Sequence, residues 1–155
     1  MKTLQRAGWL FKGVELAGAG SELARPEGVA LTPAGRVALV AGDDAIRQSI
    51  ILLLTTIPGE RVMRPDYGCP LHRLLFAPND ATTAGLAIHY VRQALVRFEP
   101  RIDIVSLDAQ AAGGATAADD ERAFDEESQL IISLVYRVRS TNRQASLDLE
   151  IGLFG

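Results

Sequence analysis

The chain has 155 residues, of which 48% are hydrophobic and 23% are charged, and its formal net charge is -3. This length fits one domain that buries about 70% of the surface its unfolded chain would expose. The mild charge argues against binding to nucleic acid or to an anionic membrane, and a single cysteine excludes an internal disulfide framework.

The sequence contains no recognisable export or membrane signal. The apolar stretch near the N-terminus ends at Lys12, which makes it too short for the core of a signal peptide. The longest apolar run, Ile50 to Leu54, is too short to span a bilayer. We therefore expect synthesis in the cytoplasm, with any export taking place inside a larger particle.

The chain is predicted to begin with an arm over residues 1–28, in which Trp9, Leu10 and Phe11 are the apolar anchors. Two short β-type runs then flank the segment Thr32-Pro33-Ala34-Gly35. Proline followed by glycine between such runs predicts a hairpin or an edge ribbon. Residues 29–155 are predicted to form a single domain.

Two main helices are predicted next. Asp43 or Asp44 can cap the first helix, and Pro58-Gly59 ends it. A short helical turn covers residues 71–76, and Asn79 or Asp80 caps the longest helix. Apolar residues recur at helical spacing in both main helices: Ile46, Ile50, Leu53, Leu54 and Ile57 in the first, and Ala84, Ala87, Ile88, Val91, Leu95 and Phe98 in the second.

After Pro100 the pattern changes from helical spacing to alternation, which predicts strands. Ile102, Ile104 and Leu107 form one strand, and residues 130–138 and 147–153 alternate in the same way. The intervening residues 109–127, alanine-rich and then acidic, are predicted to be an exposed loop. Helices followed by antiparallel strands predict an α+β fold, with two main helices packed on a sheet of about three strands.

The corner Glu99-Pro100-Arg101 follows the longest helix. A carboxylate at the C-terminal end of a helix is disfavoured by about 0.3–1 kcal/mol through the helix dipole, and Pro100 forces Glu99 out of helical geometry. One interpretation is a local, partly exposed salt bridge between Glu99 and Arg101. The dipole argument favours the other, in which the rigid corner presents opposite charges to a neighbouring chain.

A second charged motif runs from Gly59 to Pro65 and contains Glu60, Arg61 and Arg64. Its spacing alone favours a proline-glycine turn followed by a short, solvated edge strand. The alternative is that Glu60, Arg61 and Arg64 form a charged cluster that joins helix ends or meets a partner.

The sequence gives little support for an enzyme. A glycosidase needs two carboxyl groups across a cleft, one of them as a general acid. Glu60, Asp66 and Glu99 are candidates, but each has an arginine within two residues, and a nearby arginine favours an ionised carboxylate. We therefore predict no catalytic residue.

No metal or cofactor site is predicted either. The two histidines, His72 and His89, and the single Cys69 do not have the spacing of metal ligands. Cys69 lies between glycine and proline with no obvious paired base, so we interpret it as a packed small residue rather than a nucleophile.

In this order, the motifs resemble the GPW-type baseplate wedge proteins of contractile phage tails, type VI secretion baseplates and extracellular contractile injection systems. The resemblance covers residues 36–155 and rests on four blocks: Ile46-Arg47-Gln48-Ser49-Ile50, Pro58 to Cys69, Leu75-Phe76-Ala77-Pro78 and Glu99-Pro100-Arg101-Ile102.

The resemblance implies a structural protein without catalytic activity or cofactor. Such proteins occur in several copies in a symmetric particle, bind the helical core bundle of the wedge and help to initiate sheath assembly. The Glu-Pro-Arg motif of the family is linked to wedge assembly, which implies a partner-binding role for Glu99, Pro100 and Arg101. The resemblance also implies that Glu60, Arg61 and Arg64 brace the same surface.

Two further hypotheses concern partners and activity. If the strand pair formed by residues 130–138 and 147–153 keeps an open edge, a sheath subunit can add a strand to it by main-chain hydrogen bonding. Because some members of the family are called lysozymes, the alternative function is a peptidoglycan hydrolase carried in a tail particle.

Overall fold

A computed structural model describes residues 8–9, 11–12, 28–29, 31–112 and 129–153. Two helices, α1 and α2, and a short 3-10 helix precede a three-stranded antiparallel sheet, and short β-ribbons lie at the N-terminal side. The elements in chain order are β1 (Gly8–Trp9), β2 (Phe11–Lys12), β3 (Gly28–Val29), β4 (Leu39–Val40), α1 (Gly42–Thr55), the 3-10 helix (Pro70–Leu74), α2 (Ala81–Phe98), β5 (Ile102–Ala112), β6 (Gln129–Val138) and β7 (Gln144–Gly152). The predicted α+β class is confirmed.

The main sheet has the strand order β5-β6-β7, with both strand pairs antiparallel. Alternate side chains of β6 are buried, as its period-two pattern requires. On the same face, Leu147 of β7 lies opposite Leu134, and Leu149 lies opposite Ile132. The buried side chains of β6 are Leu130, Ile132, Leu134, Tyr136 and Val138.

Strand β5 contains a bulge that the alternation pattern did not reveal. Ile104 lies opposite Tyr136 of β6, but Ser106 lies opposite the next residue, Val135, so Val105 is the extra residue of the bulge. Beyond the bulge, the side chains that face the helices come from odd-numbered instead of even-numbered positions.

Strand β5 is also longer than predicted. It extends to Ala112, so the prediction of a loop from residue 109 is wrong for residues 109–112. The strand continues because residues 109–112 pair with residues 129–132 of β6. The rest of the predicted loop, residues 113–127, lies outside the described residues.

The two helices share one hydrophobic core with the sheet, and the predicted apolar stripe of α2 is confirmed. The predicted stripe of α1 is confirmed except for Ile57, which lies beyond the end of the helix at Thr55. In α2, Asp80 is the N-cap, and its Oδ1 accepts a hydrogen bond of 2.7 Å from the Thr83 N–H. This hydrogen bond is the largest cause that holds the pKa of Asp80 below its usual range.

The predicted cap of α1 is wrong. Its N-cap is Ala41, which makes no side-chain hydrogen bond, and Asp43 and Asp44 lie within the first turn. Acidic side chains in this turn still interact favourably with the helix dipole. Asp43 instead accepts a hydrogen bond of 3.3 Å from the Thr141 hydroxyl, next to the turn between β6 and β7.

The predicted hairpin near residues 32–35 is present. The Gly35 N–H donates to the Thr32 carbonyl at 2.9 Å, and Leu31 bridges Val37 in antiparallel fashion. Gly35 has a φ of +73°, a conformation that glycine adopts without strain. Strand β2 pairs with β3 and β1 pairs with β4, so residues of the predicted arm pair with both sides of this hairpin. Within the described part of the chain, no helix is both long and apolar enough to cross a membrane.

Candidate partner-binding corner

The chain turns sharply between α2 and β5. Glu99 is the C-cap of α2, with φ -126° and ψ 70°, and its N–H donates to the Leu95 carbonyl at 2.9 Å. The exposed Pro100 follows, and the Arg139 N–H donates to the Arg101 carbonyl at 3.0 Å. The sheet ladder therefore starts within two residues of the helix end, which makes this elbow rigid.

Glu99 and Arg101 form a two-pronged ion pair across Pro100. The Arg101 Nε donates to Glu99 Oε1 at 2.5 Å, and Nη2 donates to Oε2 at 2.6 Å. The Glu99 side chain is 2% exposed and that of Arg101 is 41% exposed. The hydrogen bond to Glu99 raises the pKa of Arg101 above its usual value.

This geometry corrects the expectation that the elbow presents both charges to a neighbour. The Glu99 carboxylate lies at the negative end of the α2 dipole, and it is folded inward against the guanidinium that neutralises it. Of the two charges, only Arg101 can be reached from outside.

The segment from Ile57 to Cys69 consists of consecutive turns, so the predicted edge strand is wrong. The Glu60 N–H donates to the Ile57 carbonyl at 3.1 Å, and in return Glu60 Oε2 accepts from the Ile57 N–H at 3.0 Å. The Arg64 N–H then donates to the Arg61 carbonyl at 3.1 Å. These backbone N–H groups form hydrogen bonds within the segment and not with a neighbouring strand.

The turn segment is fixed to the end of α2 by side chains. Asp66 and Arg97 form a salt bridge of 2.6 Å. The rings of Tyr67 and Phe98 pack with their centroids 5.2 Å apart, in a tilted arrangement typical of aromatic pairs.

The turn segment is also fixed to the end of α1. The Cys69 N–H donates to the Thr56 carbonyl at 3.0 Å. Gly68 has a φ of +130°, and a Cβ there would lie 2.4 Å from the Thr56 oxygen, so only glycine fits. Cys69 is buried as predicted, and this burial raises the pKa of its thiol to about 12.

Tyr67 is the point at which the two charged motifs meet. The Arg61 guanidinium carbon lies 4.0 Å from the centre of the Tyr67 ring, a cation–π contact. Burial raises the pKa of Tyr67, and nearby Arg61 opposes this rise. Glu99 adds to the rise, while Arg64 and Arg101 also oppose it, so all four charges act on one hydroxyl.

The structure thus places Arg61 on the ring of Tyr67, and the charges of Arg64 and of the Glu99–Arg101 pair also act on that residue. The carboxylate of Glu60 instead bonds the backbone of Ile57. Tyr67, which connects the motifs, was not predicted as a site residue. Val62 and Met63, which are 94% and 91% exposed, were not predicted either. The signal for Val62 and Met63 was an apolar pair between two arginines.

The three carboxyl groups considered as hydrolase candidates each accept a hydrogen bond or form an ion pair. Glu99 is paired with Arg101, Asp66 with Arg97, and Glu60 with a backbone N–H. Among the described residues, no group of three or more histidine, cysteine, aspartate or glutamate side chains is placed to hold a metal ion. The arrangement can bind acidic groups through exposed guanidinium groups, which suits contact with another chain.

The fold and the corner define a small two-layer α+β protein with a rigid, arginine-bearing elbow. Residues 40–143 match the family model described as "Baseplate wedge protein gp25". The chain is 31% identical over 64 residues to the baseplate wedge protein gp25 of Enterobacteria phage T4, and the match covers 41% of this chain and 48% of that protein.

Two solved structures are similar. A Geobacter sulfurreducens protein provisionally assigned as a tail lysozyme is 37% identical and has a TM-score of 0.61. The match covers 77% of this chain and 97% of that one. A chain of the anti-feeding prophage baseplate is 26% identical, with a TM-score of 0.59 and coverage of 71% and 79%.

The chain therefore belongs to the baseplate wedge protein gp25 family, as the motifs predicted. It spans about half the length of the curated phage relative that it matches.

Proposed function

We propose that this protein is a structural component of the baseplate in a contractile tail or injection particle. The observation that carries the proposal is the family match over residues 40–143. The similarity to a chain of the anti-feeding prophage baseplate gives independent support. In this role several copies assemble with other wedge subunits after synthesis in the cytoplasm.

The elbow and the turn segment are the proposed contact with the core bundle of the wedge. Arg101 is part-exposed and Arg61 and Arg64 are exposed, so three guanidinium groups are open to a partner, and the charges of all three act on Tyr67. Arginine binds carboxylates in a fixed, two-pronged geometry. The matching surface on the bundle is therefore expected to be acidic. In this arrangement Glu99 orients Arg101 and does not contact the partner itself.

The outer edge of β7 is the proposed contact with the sheath protein. The Val138 N–H donates to the Arg143 carbonyl at 2.8 Å, which fixes the ladder so that odd-numbered residues of β7 bond to β6. The backbone groups of residues 146, 148 and 150 therefore point away from the sheet, and the Ser146 carbonyl accepts from Arg47 Nη1 at 2.8 Å. No other described strand pairs with this edge, which leaves residues 148–152 available for strand addition.

The experiment is complementation of a strain that makes the particle but lacks this protein. We expect the unmodified protein to restore complete particles in electron micrographs, and Arg101→Ala to leave wedges or sheaths unassembled. Arg36→Ala is the matched control, because Arg36 is exposed in the hairpin near residues 32–35 and belongs neither to the elbow nor to the turn segment. Normal particles with Arg101→Ala would contradict the proposed contact.

A hydrolase remains the second candidate, because one relative is provisionally assigned as a tail lysozyme. The pairing of Glu60, Asp66 and Glu99 with hydrogen-bond donors argues against it. We propose that this chain does not hydrolyse peptidoglycan. Release of soluble cell-wall fragments by the purified protein, and its loss in Glu60→Gln or Glu99→Gln, would establish the hydrolase instead.

A further inference from the structure

The two most exposed large hydrophobic residues in the described part of the chain lie next to each other at the tip of the turn segment. Val62 is 94% exposed and Met63 is 91% exposed. They occupy the two central positions of a turn closed by the hydrogen bond from the Arg64 N–H to the Arg61 carbonyl. Central turn positions favour proline, glycine, asparagine, aspartate and serine. Neither turn geometry nor core packing therefore explains valine and methionine here.

The tip is held in place by the structure beneath it. The Tyr67 N–H donates to the Arg64 carbonyl at 3.1 Å, immediately after the turn. Asp66 is bonded to Arg97 of α2, and the Cys69 N–H is bonded to the Thr56 carbonyl at the end of α1. A tip fixed in advance loses little conformational entropy when it binds, which favours affinity.

An arginine lies on each side of the tip in the sequence. Arg61 is held against the ring of Tyr67, and Arg64 has no acidic partner among the residues that the structure describes. The nearest carboxylate along the chain on the C-terminal side, that of Asp66, is already paired with Arg97. Two apolar residues are thus flanked in the sequence by two arginines.

We propose that Val62 and Met63 insert as an anchor into an apolar pocket, bordered by carboxylates, on a different protein subunit of the particle. Methionine adapts to irregular pockets, and flanking arginines favour an acidic rim. A membrane is a poorer match, because two side chains bury too little apolar area for stable anchoring. This inference rests on the proposed function and extends its contact surface from charge to an apolar anchor.

The test uses the double variant Val62→Ser/Met63→Ser in the complementation strain. Because both side chains are exposed, the isolated variant is expected to keep the melting temperature of the unmodified protein. Its incorporation into purified particles is expected to fall by about tenfold or more, the loss typical of truncating an interface anchor. Val105→Ser is the matched control, since Val105 is an exposed valine on β5, and it should incorporate normally.

A photo-crosslinking residue at position 63 identifies the occupant. We expect it to link this protein to a different subunit, at a segment that combines apolar and acidic residues. Links only to further copies of this chain, or normal incorporation of the double variant, would overturn the inference. Sedimentation of the isolated protein with phosphatidylglycerol vesicles, if lost in the double variant, would also overturn it in favour of a membrane.

Arg101→Ala separates this inference from the proposed function. If Arg101→Ala is folded by circular dichroism and blocks assembly while the double variant assembles normally, only the apolar anchor is wrong. If all of these variants assemble normally, the proposed contact surface is wrong as well.

Discussion

The Glu99 carboxylate is 2% exposed, whereas the Arg101 guanidinium that neutralises it is 41% exposed. The loss in free energy of unfolding therefore depends on which partner of this ion pair is removed. A buried carboxylate without its partner has no water to replace the lost hydrogen bonds, but a half-exposed guanidinium does.

Arg101→Ala is expected to destabilise the protein more than Glu99→Gln does. We expect a loss of about 2–4 kcal/mol for Arg101→Ala, because a buried charge is left unpaired. For Glu99→Gln we expect a loss of about 1 kcal/mol, because glutamine has nearly the same shape as glutamate and the part-exposed Arg101 can form hydrogen bonds to water. Urea unfolding at pH 7 measures both.

The double variant Glu99→Gln/Arg101→Ala is the control for this pair. It should lie near Glu99→Gln in stability, because no buried charge remains. Equal losses for the two single variants would show that the unequal burial of the pair has no energetic consequence. Because Arg101→Ala is expected to be destabilised, assembly assays with this variant should be run below its melting temperature.

Glycine at position 68 is expected to be irreplaceable. In Gly68→Ala the new Cβ would lie 2.4 Å from the Thr56 oxygen, at a φ of +130°. The strained backbone alone costs about 1–3 kcal/mol, and the collision with a backbone atom adds to this.

Gly85→Ala is the matched control for Gly68→Ala. Gly85 lies in α2, and a Cβ added there would meet nothing within 4 Å, so we expect alanine to stabilise the helix by about 0.5–1 kcal/mol. Thermal unfolding of the two variants should shift in opposite directions. A Gly68→Ala variant as stable as the unmodified protein would contradict the close approach between the turn segment and α1.

The strands and the apolar helix faces were predictable because each depends on local periodicity. Residues 130–138 alternate, and their even-numbered members are the buried ones. The bulge at Val105 was not predictable, since the shift is defined by the register against Tyr136 and Val135 of another strand. Local pattern specifies which face is buried, and only pairing specifies where that face changes.

The candidate corner was predicted in position but not in orientation. The helix dipole and Pro100 correctly indicated an unusual helix end at Glu99. The carboxylate faces inward because the chain is packed around it, and the sequence does not show that Tyr67, from a separate part of the chain, packs against the neighbouring Phe98. The Val62–Met63 tip was missed for a related reason: a sequence does not show that an apolar pair fails to reach the core.

The Cys69 thiol is expected to make stability depend on pH under alkaline conditions. Its pKa is raised from 9.0 to about 12 in the folded protein, with burial as the largest cause. The folded state therefore holds the thiol proton more tightly than the unfolded state. The contribution of the protonated thiol to the free energy of unfolding is therefore complete below pH 9 and is lost as the pH rises toward 12.

Cys69→Ala should show a shallower loss of stability over that pH range. Burial also raises the pKa of Tyr67 and of Tyr136 above 10, so both proteins lose stability at high pH, and the difference between them isolates the thiol. In the folded protein the thiol should also resist a disulfide reagent at pH 8 until urea unfolds the chain. Rapid labelling without denaturant would contradict its burial.

Proline at position 148 tests whether the outer edge of β7 accepts a strand. The Asp148 N–H points away from β6, so Asp148→Pro leaves the β6–β7 hydrogen bonds in place, and proline is tolerated at such edge positions. The isolated variant should remain folded by circular dichroism. Strand addition needs that N–H as a donor, so sheaths should fail to start on baseplates that contain the variant.

Asp148→Asn keeps the N–H while removing the same charge, and it should support normal sheaths. If Asp148→Asn fails as badly as Asp148→Pro, the side chain and not the main chain makes the contact. Normal sheaths on Asp148→Pro baseplates would place the sheath contact elsewhere on the protein.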